Sequence, residues 1–73
     1  MTAAGLKINQ IYEIERITTS PLMVRMMEMG VMPGKSISLL QKAPFKGPMA
    51  FLIEGNILAL RIEEAELIQI KVA

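Results

Sequence analysis

Ser20-Pro21-Leu22-Met23-Val24-Arg25-Met26-Met27-Glu28-Met29-Gly30-Val31-Met32-Pro33-Gly34-Lys35 carries the clearest structural instructions in the chain. Ser20 offers a side-chain oxygen to the free N–H groups of a first helical turn, and Pro21 suits a first helical position, where its missing N–H is not needed. The spacing predicts a helix over Leu22 to Met29. Leu22, Met26 and Met29 fall on one stripe, Met23 and Met27 widen it, and Arg25 and Glu28 mark the wet side. Gly30 ends the helix because the residue after the last turn adopts a positive φ, which costs glycine nothing. Val31 is then placed to pack back on that turn. Met32-Pro33-Gly34-Lys35 reads as a type II β-turn, with proline fixing φ at its second position and glycine supplying the positive φ at its third.

Outward from this segment the pattern changes from helical to alternating. Upstream, Gln10 to Ile17 reads as a strand with Tyr12 and Ile14 on one face and Glu13 and Glu15 on the other. Ile17 falls on the wrong parity, which places a bulge or bend near Glu15-Arg16. Residues 1–9 show little period and are expected to form a flexible or loosely docked arm. Downstream, Ser36 to Lys42 is a strand with Ile37 and Leu39 facing one way and Ser36 and Ser38 the other. Pro44-Phe45-Lys46-Gly47-Pro48 follows as an exposed loop. Met49–Glu54 and Ile57–Ile62 read as two strands joined by a two-residue turn at Gly55-Asn56. Both are apolar on both faces, so the face turned away from the core should stay apolar at the surface. Glu63 to Glu66 is a helical turn. Leu67 to Val72 closes the chain as a strand with Ile68, Ile70 and Val72 inward. Five short strands with one α-helix inserted after the first predict a mainly β fold, a small SH3-like barrel formed by residues 1–73 as one domain.

The alphabet limits the chemistry. Of 73 residues none is His, Cys, Asp or Trp. The commonest general base, the thiol nucleophile and the best transition-metal ligands are therefore missing. Ser20, Ser36 and Ser38 lack a base to activate them, and no Gly-Lys-Ser/Thr phosphate loop follows Gly30 or Gly34. The expectation is a binding protein, not an enzyme, with no cofactor. The carboxylates are all glutamates. Glu63, Glu64 and Glu66 lie close together and could hold a hard cation weakly, but such a trio is ordinarily a solvated turn, and no metal site is expected. A net charge of +1 with no Lys/Arg cluster, and only Tyr12, Phe45 and Phe51 as aromatics, argues against nucleic acid and against proline-rich peptides. The longest strictly apolar run, Met49 to Ile53, is far short of the roughly 20 residues of a membrane span. No signal peptide pattern and no cysteine are present, so the expectation is a cytoplasmic protein without membrane insertion.

What remains is apolar surplus. Hydrophobic residues make up 52% of the chain and mean hydropathy is +0.42. A domain this small buries only about 60% of the surface its unfolded chain exposes. Surplus apolar surface marks a contact site.

The run from Arg25 to Gly34 resembles the signature of the FeoA family: Arg, an apolar residue, two variable positions, Leu or Met, Gly, an aliphatic residue, any residue, Pro, Gly. Leu58-Ala59-Leu60-Arg61, then Ala65, then Ile68 and Ile70, resemble its second motif, and Pro44 and Gly47-Pro48 sit where the family has a proline-flanked loop. The resemblance spans about residues 5–72. One departure lies in that loop, where the family's Gly-Asp-Pro is replaced by Lys46-Gly47-Pro48. The resemblance implies an SH3-like barrel, a domain type shared with the C-terminal part of iron-dependent repressors. It also implies an accessory role in ferrous iron transport, hence in transition-metal-ion handling, through the cytosolic GTPase domain of the iron transporter.

Residues expected to face a partner are Met23, Arg25 and Met27 on the helix, Phe45 and Lys46 in the loop, Leu52 on the outer hairpin face, and Arg61. Arg16, Arg25 and Arg61 are candidates for an arginine finger on the GTPase, unless they form surface ion pairs, as Arg61 would with a nearby glutamate. The outer sheet face would equally serve homo-oligomer formation.

Overall fold

A computed structural model describes residues 1–73. Its elements are a 3₁₀ turn (Ala3–Gly5), β1 (Ile11–Ile17), α1 (Met23–Glu28), β2 (Ser36–Lys42), β3 (Met49–Ile53), β4 (Asn56–Leu60), α2 (Ile62–Ala65) and β5 (Ile68–Val72). The strands form one antiparallel sheet in the order β4-β3-β2-β1-β5. The chain thus meanders through β1 to β4, and β5 returns to lie beside β1. The strands curl around one core of Ile14, Ile37, Leu39, Phe51, Ile53, Leu60 and Ile68, closed by Met26 and Val31 from the α1 segment and by Ala65 from α2. Phe51 is its largest fully buried side chain. This is the small mainly β, SH3-like architecture with a helix after the first strand.

The end of α1 and the turn after it fold as their residues dictate, but the helix begins later than expected: it spans Met23–Glu28 with Leu22 at its N-cap, and Ser20-Pro21 form a turn ahead of it instead of its cap and first position. Ser20 Oγ accepts a hydrogen bond from the Leu22 N–H at 3.1 Å. Met26 is fully buried, while Leu22, Met23 and Met29 pack against the core from its rim. At the other end the Val31 N–H donates to Met26 O and the Gly30 N–H to Met27 O, both at 3.0 Å. Together with φ +99° at Gly30 this is a Schellman cap, and Val31 is its buried hydrophobic closure. The Met32–Lys35 turn then docks on β1, with Gly34 N–H donating to Ile14 O and Ile14 N–H to Lys35 O. The register of β1 against β5 shifts between Ile14 and Arg16, the bulge required by the parity of Ile17.

Three further expectations need correction. Residues 1–9 are not a loose arm: Ala3 and Leu6 are buried, the Ile70 N–H donates to Met1 O, and Thr2 bridges Gln69. Two apolar anchors three residues apart fit a 3₁₀ turn over Ala3–Gly5, which the Leu6 N–H closes on Ala3 O. The β3–β4 turn falls one residue earlier than expected, at Glu54-Gly55, with Ile53 paired to Asn56. Glu54 and Gly55 both have positive φ, as a type I′ turn demands. The Glu54 carboxylate accepts from the Ser36 N–H at 3.1 Å, which fastens the turn to β2. The shift moves each strand pair by two positions and leaves the inward set unchanged, because side chains alternate with period two. Finally, Val72 is 82% exposed: β5 runs past the end of the core, and its last inward position meets solvent.

Candidate functional site

The structure distributes the expected contact residues over three places. On the helix side, Arg25 projects from α1 and Arg61 from the β4–α2 junction, and both line one cleft of about 400 Å³ with Leu22, Glu63 and Glu64. Both are exposed. The only ion pair in the molecule is Lys71–Glu13 at 3.5 Å, so the expected pairing of Arg61 with a glutamate does not occur. The reason is local: Glu64 is buried and turned back to accept from the Arg61 backbone N–H at 2.9 Å, capping α2. Its carboxylate belongs to the fold rather than to a solvated trio. No three carboxylates converge anywhere. Of the helix methionines, Met23 packs on the core and Met27 is half-buried, so their stripe is mainly structural.

The second place is the outer sheet face. Ile11, Ser38, Leu52 and Ile57 pair laterally from β1 to β4 and form one row across four strands. Ile11 and Ile57 are 66% and 67% exposed and Leu52 is half-buried. The row ends at β4, an edge strand that pairs only with β3. Part of the apolar surplus read from the sequence lies here; Val24, Phe45 and Val72 expose more of it elsewhere. Ile11 shares its strand face with Glu13 and Glu15, so the alternation marks that face as polar.

The third place is the tip of the β2–β3 hairpin. Pro44-Phe45-Lys46-Gly47 closes with the Gly47 N–H donating to Pro44 O at 3.1 Å, and below it the Ala43 N–H donates to Pro48 O at 3.0 Å. Phe45 and Lys46 hold φ of +58° and +59°, again the type I′ pattern, here without glycine or asparagine. Phe45 is 99% exposed. Lys46 and Lys42 line a hollow of about 230 Å³ whose apolar walls include Ala43, Met49 and Ile62. Lys42 escaped the sequence reading. The available signal was the run from Met29 to Ile53, which holds three lysines and no carboxylate in a chain of net charge +1. Gly47 is fixed by space: a Cβ there would lie 2.8 Å from Ala43 Cβ and 3.1 Å from Pro44 O.

Comparison with known proteins places this architecture. The family model described as FeoA domain matches residues 1–72. The chain belongs to the FeoA family. Among solved structures, iron(II) transport protein A from Clostridium thermocellum aligns with 31% identity and a TM-score of 0.93, covering 100% of this chain and 46% of that one. The chain therefore spans less than half the length of that relative. The FeoA protein from Chlorobium tepidum aligns with 27% identity and a TM-score of 0.87, over 99% of this chain and 70% of that one. The zinc-complexed FeoA of Stenotrophomonas maltophilia, described as a procaryotic SH3 domain protein, shares the fold at 22% identity and a TM-score of 0.84, over 97% and 89% of the two chains. A manganese-dependent transcriptional repressor shares it over 41% of its own length, at 19% identity and a TM-score of 0.85. No curated protein sequence matches the chain. No helix is long and apolar enough to cross a membrane.

Proposed function

We propose that this FeoA-family chain is a non-enzymatic accessory module of ferrous iron uptake that acts by binding the cytosolic GTPase domain of the iron transporter. The observation that carries this reading is the FeoA match over residues 1–72, with an iron(II) transport protein among the relatives above 30% identity. The missing His, Cys and Asp support a role through contact rather than chemistry.

The Arg25–Arg61 cleft is the part of the surface best suited to meet that domain. Arginine is enriched among residues that dominate protein interfaces, and these two hold no carboxylate that would first have to be released. Met23 and Met27 flank Arg25 in sequence and add adaptable apolar contact where they reach the surface.

The test is titration of the transporter's GTPase domain into the ¹⁵N-labelled full chain. Amide shifts should cluster at Met23–Met27 and at Arg61. The double variant R25E/R61E should weaken binding by at least about tenfold, a loss typical of interface hot spots. No binding at tens of micromolar, roughly the regime of weak specific complexes, would overturn the reading. A GTP turnover rate that is unchanged at saturation, with binding intact, would dispose of an arginine finger and leave the docking role.

A further inference from the structure

The hairpin tip has a design that neither the fold nor the Arg25–Arg61 cleft explains. Two non-glycine residues, Phe45 and Lys46, occupy consecutive left-handed positions. Left-handed backbone is unfavourable for an L-residue with a Cβ, which crowds the following carbonyl. Such strain persists where the surroundings enforce it, and it concentrates at functional sites. Here the strain earns no packing, since Phe45 is 99% exposed and neither Phe45 nor Lys46 has a hydrogen-bond or ion-pair partner. What it does is aim a bare aromatic ring outward from a turn closed by two backbone hydrogen bonds.

The surroundings of the ring narrow the kind of partner. Lys42 and Lys46 line the hollow at the base of the tip, and both are free of carboxylates. The whole run from Met29 to Ile53 is basic, with Lys35, Lys42 and Lys46 and no acid. A tip with an exposed ring on its turn and two cations lining the hollow at its base suits a surface that is soft, apolar inside and anionic outside. It requires no matching pocket.

We propose that the β2–β3 hairpin tip docks on an anionic lipid bilayer, with Phe45 seated at headgroup depth and Lys42 and Lys46 against lipid phosphates. The contact is peripheral. It carries one ring into the interface and no spanning element, and only to that depth does it revise the expectation of no membrane insertion. It does not depend on the transporter. Membrane attraction of this kind is additive and weak, so the tip acts as one of the two signals that stable membrane attachment needs. The other would be whatever protein the module binds there.

The experiment is sedimentation of the full chain with large vesicles, either phosphatidylcholine alone or an equimolar mixture with phosphatidylglycerol. The chain should partition onto the anionic vesicles and not onto the neutral ones. Binding should fall as salt shortens the Debye length. Neutralising Lys46 in K46Q should lower partitioning by about fivefold, the equivalent of ~1 kcal/mol per surface cation. F45S should lower it by about tenfold or more, as expected for losing one buried aromatic side chain. Both variants lie on an exposed turn, and an unchanged circular dichroism melt would show that the fold is kept. Inorganic phosphate at the same charge concentration should not compete. Competition by phosphate, equal partitioning onto both vesicle types, no partitioning at all, or insensitivity to F45S would each overturn the proposal. So would loss of GTPase-domain binding in F45S by a chain that ignores vesicles, which would make the tip a protein contact.

Discussion

Two hairpins in this molecule turn the same way with different residues. At the β3–β4 turn the two central positions are Glu54 and Gly55, with φ of +45° and +83°. Gly55 takes its position without strain, and Glu54 repays its own by bonding the Ser36 N–H. At the β2–β3 turn the same positions hold Phe45 and Lys46; Phe45 is almost fully exposed, and neither side chain has a hydrogen-bond or ion-pair partner. The first turn is built for folding. The second keeps its shape through Pro44, Gly47 and Pro48 around it, and spends its central positions on side chains that face outward. The difference teaches where to look for function: at backbone strain that no packing or hydrogen bond offsets.

The comparison breaks most severely at Gly47, which supports the strained turn. G47A drives a Cβ to within 2.8 Å of Ala43 Cβ and 3.1 Å of Pro44 O. Backbone on both sides of the tip must shift, with an expected cost of about 1–3 kcal/mol, the range for forced overpacking. Since 1 kcal/mol moves the melting temperature of a domain this size by about 4–8 °C, a thermal melt resolves the loss. A melt within a degree or so of the parent (on that same scale) would mean the turn relaxes freely and its strain is unremarkable.

A smaller effect is expected at the unstrained turn. E54A removes the acceptor for the Ser36 N–H and keeps the left-handed position occupied by a residue with a Cβ. The loss should be about 0.5–1.5 kcal/mol in denaturant unfolding, the worth of one partly exposed hydrogen bond. E54G should recover part of it, because glycine relieves the φ of +45°. If E54A leaves the unfolding midpoint unchanged, the side chain contributes nothing there and the two turns differ less than their bonding indicates.

Much of this frame was legible from residue types alone. The helix cap at Gly30, the turn at Pro33-Gly34, the bulge after Ile14 and the bounds of β2 follow from glycine, proline and strict alternation, which act locally. The docking of Ala3 and Leu6 was not legible, because two isolated anchors produce no period and the 3₁₀ turn packs on β5 and α2, far along the chain. The β3–β4 turn slipped by one because Gly-Asn and Glu-Gly are both acceptable pairs, and the choice rests on Ser36, eighteen residues away. The site was less legible still. Arg25 and Arg61 share a cleft only through the packing of α1 beside the β4–α2 junction. Phe45 was visible as a loop residue, but its left-handed φ was hidden, since the sequence lacks the Asn-Gly signal of such turns.

The smallest effect has the opposite sign and sharpens the comparison most. F45N/K46G installs the residue pair that type I′ turns prefer, in place of two that resist it. No side-chain hydrogen bond or ion pair is lost, because Phe45 is bare and Lys46 unpaired. Relief of left-handed strain at Lys46, and its reduction at Phe45, should exceed the extra chain entropy of one new glycine. A net gain of about 0.5–1 kcal/mol is expected, seen as a higher urea midpoint at unchanged slope. The same variant should lose partitioning onto anionic vesicles, having given up the ring and one cation. Stability and attachment would then move in opposite directions, as they must if the native pair is held at the tip for what it contacts. A variant that is less stable than the parent would show that Phe45 and Lys46 serve the fold after all, and the contrast between the two hairpins would fail.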